Sequence, residues 1–374
     1  MGDFRLGSIF GLEIRIDFSW FIIFFLILWT FTAGIFPANF PGFSPGVYVG
    51  MGVAGTLLFF ASLLAHEISH SLVARAKGVP VEGITLFVFG GVSRTRTEAE
   101  GPGDEFLIAV VGPVSSVVLA ALFGLLWWVG RNAGWSAAVT GVAGYVGYLN
   151  LALAIFNLLP GFPLDGGRLF RSVVWKLTGN LTRATRIAST GGQWLGYALV
   201  GLGIWQIFAA NPLGGLWLIF IGWFLRNAAI ASYQQLMVKN LLETVRARAV
   251  MTESPETVSP ELTLQELVDD YFLRRRYMAF PVTEDGRPVG VIAFHQVREV
   301  PREEWPRRAV REVMVPANET VMVRPEERMS QVLEKMERSG VRRVLVTRDG
   351  GLVGIITAGD ITAWLERMRQ LEEQ

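Results

Sequence analysis

His66-Glu67-Ile68-Ser69-His70 places two of the chain's three histidines four residues apart inside an apolar stretch. On a helix, residues i and i+4 share one face, so both imidazoles can reach a single Zn²⁺ while Glu67 beside them can take a proton from water. The preceding segment, Met51–Ala65, carries no charge, and an acidic group near hydrocarbon costs on the order of 2.5–3.5 kcal/mol on insertion scales. A group kept against that cost points to chemistry. A hydrolytic Zn²⁺ wants three protein ligands and one open position. With no cysteine available, and no other histidine in the apolar part, the third ligand must be a carboxylate. Asp165 is the only acidic residue between Glu105 and residue 240. It sits in the run Asn157-Leu-Leu-Pro-Gly-Phe-Pro-Leu-Asp165-Gly-Gly-Arg168, whose two prolines and three glycines break the helix near its cytoplasmic end. Broken backbone at membrane depth is tolerated where it is buried in protein or lines a watery cavity. The competing role for Asp165 is a turn cap beside Gly166.

These groups need elements to hold them. The chain is 51% hydrophobic, yet 43 of its 67 charged residues lie after residue 240, so a membrane-embedded part and a soluble part cannot share one core. A spanning helix needs about 20 mostly apolar residues. Candidates cover Phe18–Phe36, Val49–Ala74, Phe106–Val129, Ala137–Leu159, Ile187–Ala209 and Leu213–Tyr233. With both termini cytoplasmic, the inside loops hold Arg75, Lys77, Arg94 and Arg96, then Arg168, Arg171, Lys176, Arg183 and Arg186, whereas the outside loops hold only Arg131. That asymmetry selects six spans with both ends inside and puts His66 and His70 toward the cytoplasmic end of the second helix. The first long apolar run begins after Asp17, which argues against a cleavable signal peptide, and a net charge of +1 gives no reason to expect nucleic acid as a partner.

The apolar HExxH helix followed by N-x-x-P-x-x-P-L-D-G-G resembles the site-2 protease family of intramembrane zinc metalloproteases, in its branch with C-terminal tandem CBS domains. The resemblance covers essentially the full chain. It implies that His66, His70 and Asp165 bind one Zn²⁺ per chain, that Glu67 is the general base, and that Asn157 positions substrate or polarises the scissile carbonyl. Asn157 has a second reading, a bond to carbonyls freed by Pro160. The substrate implied is a transmembrane segment of a membrane-anchored protein.

A helix shields its own peptide bonds, so a substrate must unwind before hydrolysis, and a strand edge could replace the lost bonds. The β-prone, glycine-rich segment Val81–Ser93 predicts a membrane-dipping hairpin near the site, serving either that purpose or only packing. Ile9–Asp17 also alternates as a strand.

Past residue 240 a soluble α/β pattern repeats. Glu256-Thr-Val258 recurs as Glu319-Thr-Val321, and Val289-Gly-Val-Ile-Ala293 as Val353-Gly-Ile-Ile-Thr357, each preceded or followed by its own amphipathic stretch, Leu264–Phe272 and Met329–Glu337. This resembles a tandem CBS pair, a module that in many proteins binds ATP or another adenine nucleotide. Gly354-Ile-Ile-Thr357-Ala-Gly-Asp360 keeps the family's string, so Thr357 and Asp360 are the implied nucleotide residues, whereas the first unit has Ala293 and Gln296 instead. A purely structural pair, serving homo-oligomer contacts or covering the protease, is the other reading. His295 reads as a surface or strand-end residue.

The expected architecture is therefore a polytopic α-helical membrane protein of about six transmembrane helices with a C-terminal soluble α/β tandem CBS pair. Its divisions are 1–240 for the protease and 241–374 for the cytoplasmic pair, the latter split into 241–303 and 304–374. The expected setting is the plasma membrane of a prokaryote. A CBS-gated ion channel or transporter is the competing function, since intramembrane ionisable groups also mark ion paths. A conduit would spread its charges over several helices and depths, whereas here they concentrate in two motifs with ligand spacing.

Overall fold

The computed structural model describes residues 3–88, 90–95, 99–209, 212–317 and 322–372. It divides into two units, Met1–Gln234 and Gln235–Gln374. The first opens with strands β1 (Asp3–Ile9) and β2 (Leu12–Asp17), joined through Phe10 and Gly11 at φ of 51° and 71°. Positive φ at both central residues is the requirement of a two-residue type I′ hairpin turn. The strand expected over Ile9–Asp17 is thus the second arm of a hairpin, with Leu12, Ile14 and Ile16 turned into the core. Asp17 accepts from the Ser19 amide at 2.9 Å and starts α1 (Phe18–Trp29), which runs on through a π-helical stretch, Thr30–Ile35, into α2 (Phe36–Asn39).

The long α3 (Pro45–Ala76) carries the HExxH residues in its last three turns. It is followed by β3 (Val81–Phe87) and β4 (Gly90–Thr95), the predicted hairpin, in which Leu86 pairs with Gly91 and Phe87 with Gly90; Phe89 lies outside the described residues. The four strands form one sheet in the order β1-β2-β3-β4, with β2 and β3 parallel and the other pairs antiparallel. Among the described residues β4 has a partner on one side only, and so presents a free edge.

Four apolar helices complete this part: α4 (Pro102–Asn132), α5 (Ala137–Asn157), α7 (Leu181–Phe208) and α8 (Pro212–Thr244). Between α5 and α7 the shorter α6 (Asp165–Thr178) begins at Asp165 itself, and Leu158–Leu164 form the break that the prolines and glycines predict. Gly166 and Gly167 are obligatory there. A Cβ on Gly166 would overlap the Leu158 carbonyl, and one on Gly167 the backbone of Gly161.

Among the described residues, five helical stretches are long and apolar enough to cross a membrane: Phe18–Asn39, Pro45–Ala76, Pro102–Asn132, Ala137–Asn157 and Pro212–Thr244. The sixth expected span lies in α7, whose 28 residues reach about 42 Å. Its five glycines and its run of Thr, Ser, Gln and Arg make it less apolar than the others. Gly196 and Gly203 spend that hydropathy on close packing, since a Cβ on either would meet the carbonyl of Gly222 or Gly215 of α8 at 2.6 Å. Of the residues used to orient the spans, Arg96 lies outside the described residues.

The second unit repeats one supersecondary pattern. The first copy comprises β5 (Thr252–Glu253), α9 (Leu264–Glu266) with a π-helical continuation over Leu267–Phe272, β6 (Ala279–Glu284), β7 (Arg287–Ala293) and α10 (Phe294–Arg298). The second comprises α11 (Val310–Val313), β8 (Val315–Pro316), β9 (Met322–Val323), α12 (Met329–Arg338), β10 (Arg343–Arg348), β11 (Gly351–Thr357) and α13 (Ala358–Glu372). The copies exchange strands: the sheets run β5-β11-β10-β9 and β6-β7-β8. Leu242, Ala247 and Val250 accordingly pack with the second copy's core, and Trp305 and Val310 with the first. A cut at 303/304 therefore leaves each half holding part of the other's core. The paired repeat element Glu319–Val321 lies outside the described residues.

Candidate metal centre

α3 brings His66 and His70 one turn apart on a buried face, with 2% and 6% exposure. α6 supplies Asp165, 95 positions beyond His70 in sequence. His66 Nε2 and His70 Nε2 each lie 3.1 Å from Asp165 Oδ2 and 3.1 Å from one another. The opposite face of each ring is tied to α4. His70 Nδ1 lies 2.6 Å from the Ile108 carbonyl, and His66 Nδ1 lies 2.9 Å from Ser116 Oγ. A carbonyl oxygen only accepts, so His70 Nδ1 must carry the hydrogen, and in the neutral ring Nε2 is left with its lone pair. That lone pair faces a carboxylate oxygen and a second imidazole nitrogen. Three acceptor atoms crowded at such distance repel unless a cation or shared protons sit among them.

The donor set fits a metal. Ligands about 2.0–2.1 Å from a tetrahedral Zn²⁺ stand roughly 3.3 Å from one another, close to the separations found. Metal-binding histidines are usually held at their second nitrogen by a carbonyl, a carboxylate or water, which orients the ring. His66, His70 and Asp165 also form a group whose ligand atoms all lie within 4.8 Å.

One face of α4 is the wall behind the centre. Ile108, Gly112 and Ser116 recur at i, i+4 and i+8, and Gly112 stands against the two Nε2 atoms. A Cβ on Gly112 would overlap the His70 ring and come within 2.7 Å of His66 Nε2. Glu67, next on α3, is half-buried and lies against β4, where a Cβ on Gly91 would overlap its Cγ and approach its Cδ to 2.8 Å. Ser71 and Ser93 hold that strand to α3 through hydroxyls 3.0 Å apart. Asn157 ends α5 half-buried, and no side-chain hydrogen bond is formed by it among the described residues. Sequence reading overlooked the α4 wall, whose signal was the pair Gly112-Pro113 and Ser115-Ser116 inside an apolar helix. It also overlooked Asn150, wholly buried on α5, whose Nδ2 donates to Ser62 Oγ at 3.1 Å one turn before His66.

In the second unit a cavity of about 800 Å³ is lined by residues of both repeats, among them Thr252, His295, Arg342, Thr357 and Asp360. Thr357 and Asp360 stand on its wall but engage each other: the Thr357 amide and hydroxyl donate to Asp360 Oδ2 at 2.8 and 2.7 Å. Thr252 Oγ1 donates to Asp360 Oδ1 at 3.3 Å. In the first repeat Gln296 accepts from the Ala293 amide at 2.7 Å, the same helix cap without charge or hydroxyl. His295, exposed just past the end of β7, also lines the cavity.

Two histidines and a carboxylate converging among helices apolar enough to cross a membrane define a membrane metallohydrolase. The sequence model of Peptidase family M50 matches residues 54–134 and 129–199, and that of the CBS domain matches 247–303 and 310–367. Zinc metalloprotease Rip3 of Mycobacterium tuberculosis is 36% identical over 366 residues, which span 97% of this chain and 93% of the relative. The Synechocystis zinc metalloprotease sll0528 is 34% identical over 97% of this chain and 96% of its own length. Zinc metalloprotease MJ0392 of Methanocaldococcus jannaschii is 29% identical, over 99% and 98%. The chain belongs to peptidase family M50, the site-2 proteases, with a tandem CBS pair after the protease. It is an integral membrane zinc metalloprotease that acts on protein.

Proposed function

We propose that His66, His70 and Asp165 hold one Zn²⁺, and that Glu67 is the proton-transfer group for hydrolysis of peptide bonds in transmembrane segments of membrane-anchored proteins. The observation that carries this reading is the convergence of both Nε2 atoms and Asp165 Oδ2 at 3.1 Å from one another. When bound there, Zn²⁺ supplies a Lewis acid that lowers the pKa of water and polarises a carbonyl. The chain's own groups do the rest. The Ile108 carbonyl fixes the tautomer of His70, and Ser116 orients the His66 ring, so that both Nε2 atoms aim inward. The Asp165 carboxylate brings the negative charge that two neutral imidazoles lack. Glu67 takes a proton from the attacking water and passes it to the leaving amine nitrogen, and Asn157 contacts the scissile segment. Changing Asp165 to Asn keeps the shape but removes the charge. Zinc affinity should fall more than about 100-fold, beyond the roughly 10–100-fold typical of changing a residue that only holds a ligand in place, and cleavage should fall with it. Stoichiometric zinc and undiminished cleavage in that variant would reject the assignment.

The free edge of β4 receives the unwound substrate. It runs past Glu67, so a segment added alongside would lie near the proton-transfer group. Proline on an edge strand is tolerated where its missing N–H faced outward, and there it removes a bond that substrate would use. Among variants Gly91→Pro to Arg94→Pro, those that still fold and bind zinc should include one that cleaves a helical substrate about tenfold more slowly, the loss of roughly 1.4 kcal/mol that one hydrogen bond supplies. Unchanged rates in all of them would remove β4 from substrate binding.

The CBS pair binds an adenine nucleotide in its shared cavity, with Thr357 and Asp360 at the phosphate and ribose end, and reports nucleotide state to the protease. ATP, ADP and AMP added separately to the purified full chain should give a saturable thermal shift with at least one of them. No shift with any of the three would discard the sensor and leave a structural pair. We propose a sixth span in α7 and both termini in the cytoplasm of a prokaryote whose plasma membrane holds the enzyme, a reading supported by the excess of Lys and Arg in the loops assigned to the inside. An odd number of crossings would put the CBS pair outside, away from the cell's nucleotides, and protease accessibility of a C-terminal tag on sealed cells or inverted vesicles distinguishes the two.

A further inference from the structure

The most buried charge of the first unit belongs to a residue with no part in the chemistry above. Glu105, in the first turn of α4, is 1% exposed. Its Oε1 accepts from Arg171 Nε of α6 at 2.6 Å, and Arg171 Nη2 contacts the same oxygen. The Arg171 guanidinium also lies over the ring of Phe162, 5.1 Å from its centroid, in the break that precedes α6.

Glu105 extends the wall behind the metal centre by one more position. Glu105, Ile108, Gly112 and Ser116 follow at i, i+3, i+7 and i+11, a single helical face. Three of them meet the histidines: Ile108 holds His70, Gly112 backs both Nε2 atoms, and Ser116 holds His66. The fourth reaches instead to the helix that carries Asp165. Arg171 lies six residues beyond Asp165, about 9 Å along the same short helix. α6 starts abruptly after a turn, and no capping side chain fixes its first residue.

We infer that the Glu105–Arg171 pair is a strut that sets the position of α6, and with it the reach of Asp165 toward the histidines. Both residues are positioning residues that act through Asp165. This inference rests on the proposed ligand set. A neighbouring ion pair supplies the contrast: Lys77 Nζ lies 2.9 Å from Asp104 Oδ1, also at the start of α4, but both side chains are over a third exposed. Exposed pairs contribute little, whereas a buried pair fixes geometry because either charge left alone is costly.

The test removes both charges at once, because a single change strands a buried ion and can unfold the protein for that reason alone. The variant Glu105→Leu with Arg171→Met replaces the pair by apolar groups of similar size. It is expected to fold, judged by an unchanged monodisperse profile in detergent. Its zinc affinity should fall about 10–100-fold, the size of other changes behind a metal ligand. The Co²⁺-loaded variant should also show altered visible bands, since those bands report the ligand set and not overall stability. The reversed pair, Glu105→Arg with Arg171→Glu, should recover part of the affinity, and Asp104→Asn should change neither affinity nor spectrum. A folded double variant with parental zinc affinity and Co²⁺ bands would overturn the inference. If the double variant does not fold, the reversed pair decides alone: folded with metal affinity within about tenfold of the parent supports the strut, and a larger loss in the folded protein overturns it. Failure of the parent to bind Zn²⁺ or Co²⁺ at all would fall on the ligand assignment instead, so the two are separable.

Discussion

The Glu67→Gln protein is expected to carry the same zinc per chain as the parent and to cleave a transmembrane substrate about 10²–10⁴-fold more slowly, the usual contribution of a positioned acid–base group. That range corresponds to about 3–5 kcal/mol of barrier. Glu67 is the residue after a proposed ligand, yet on a helix neighbours in sequence point some 100° apart, so its carboxyl is turned from the His66–His70 face toward β4. Its contact there is with Gly91, and a glutamine has the same shape and fits the same place. What glutamine lacks is an oxygen able to hold a proton and release it. Zinc content and cleavage measured on one preparation decide the matter: lost zinc would make Glu67 part of the binding set, and full cleavage would end its role in proton transfer.

How much of this could be read from the sequence depended on where the information lay. His66, Glu67 and His70 are legible because helical spacing alone converts a five-residue string into a shared face. Asp165 is legible by scarcity, as a lone carboxylate in a long apolar region, and the break at Leu158–Leu164 follows from its prolines and glycines. The wall of α4 is not legible for the opposite reason. Ile108 acts through a backbone carbonyl that any residue would offer, Gly112 acts by having no side chain, and Ser116 is an ordinary serine in an apolar helix. Glu105 and Arg171 stand 66 positions apart, and nothing in either neighbourhood announces the other. α7 shows the limit of hydropathy: it carries the glycines that pack it on α8, and it falls below the composition of the five helical stretches apolar enough to cross a membrane. In the CBS pair the repeat was readable, but the exchange was not. β5 and β8 are two residues long and leave no periodic trace. The structure does echo the repeat in detail. Gly354 lies against Met251 and Gly290 against Met314, and in both cases a Cβ would come to 2.7 Å from the sulfur.

The substitution Gly112→Ala should abolish zinc binding and cleavage together, although it adds only one methyl group and replaces no ligand. Alanine favours helix over glycine by about 1 kcal/mol in model helices, so the backbone of α4 gains nothing by distorting. The new Cβ would overlap the His70 ring and stand 2.7 Å from His66 Nε2, in the space toward which both lone pairs point. Retreat is blocked on the far side of each ring, because His70 Nδ1 is held by the Ile108 carbonyl and His66 Nδ1 by Ser116 of this same helix. Any outward shift of α4 that relieved the methyl would pull those two acceptors away from the imidazoles. A matched control lies on the same helix: Gly124 has open space where its Cβ would go, and Gly124→Ala should keep parental zinc and activity. Metal analysis of both purified variants, with size-exclusion profiles to show that each is folded, separates a local block from general damage. Stoichiometric zinc in Gly112→Ala would mean that the imidazoles can reorganise, and that the face of α4 is packing rather than a mould for the metal.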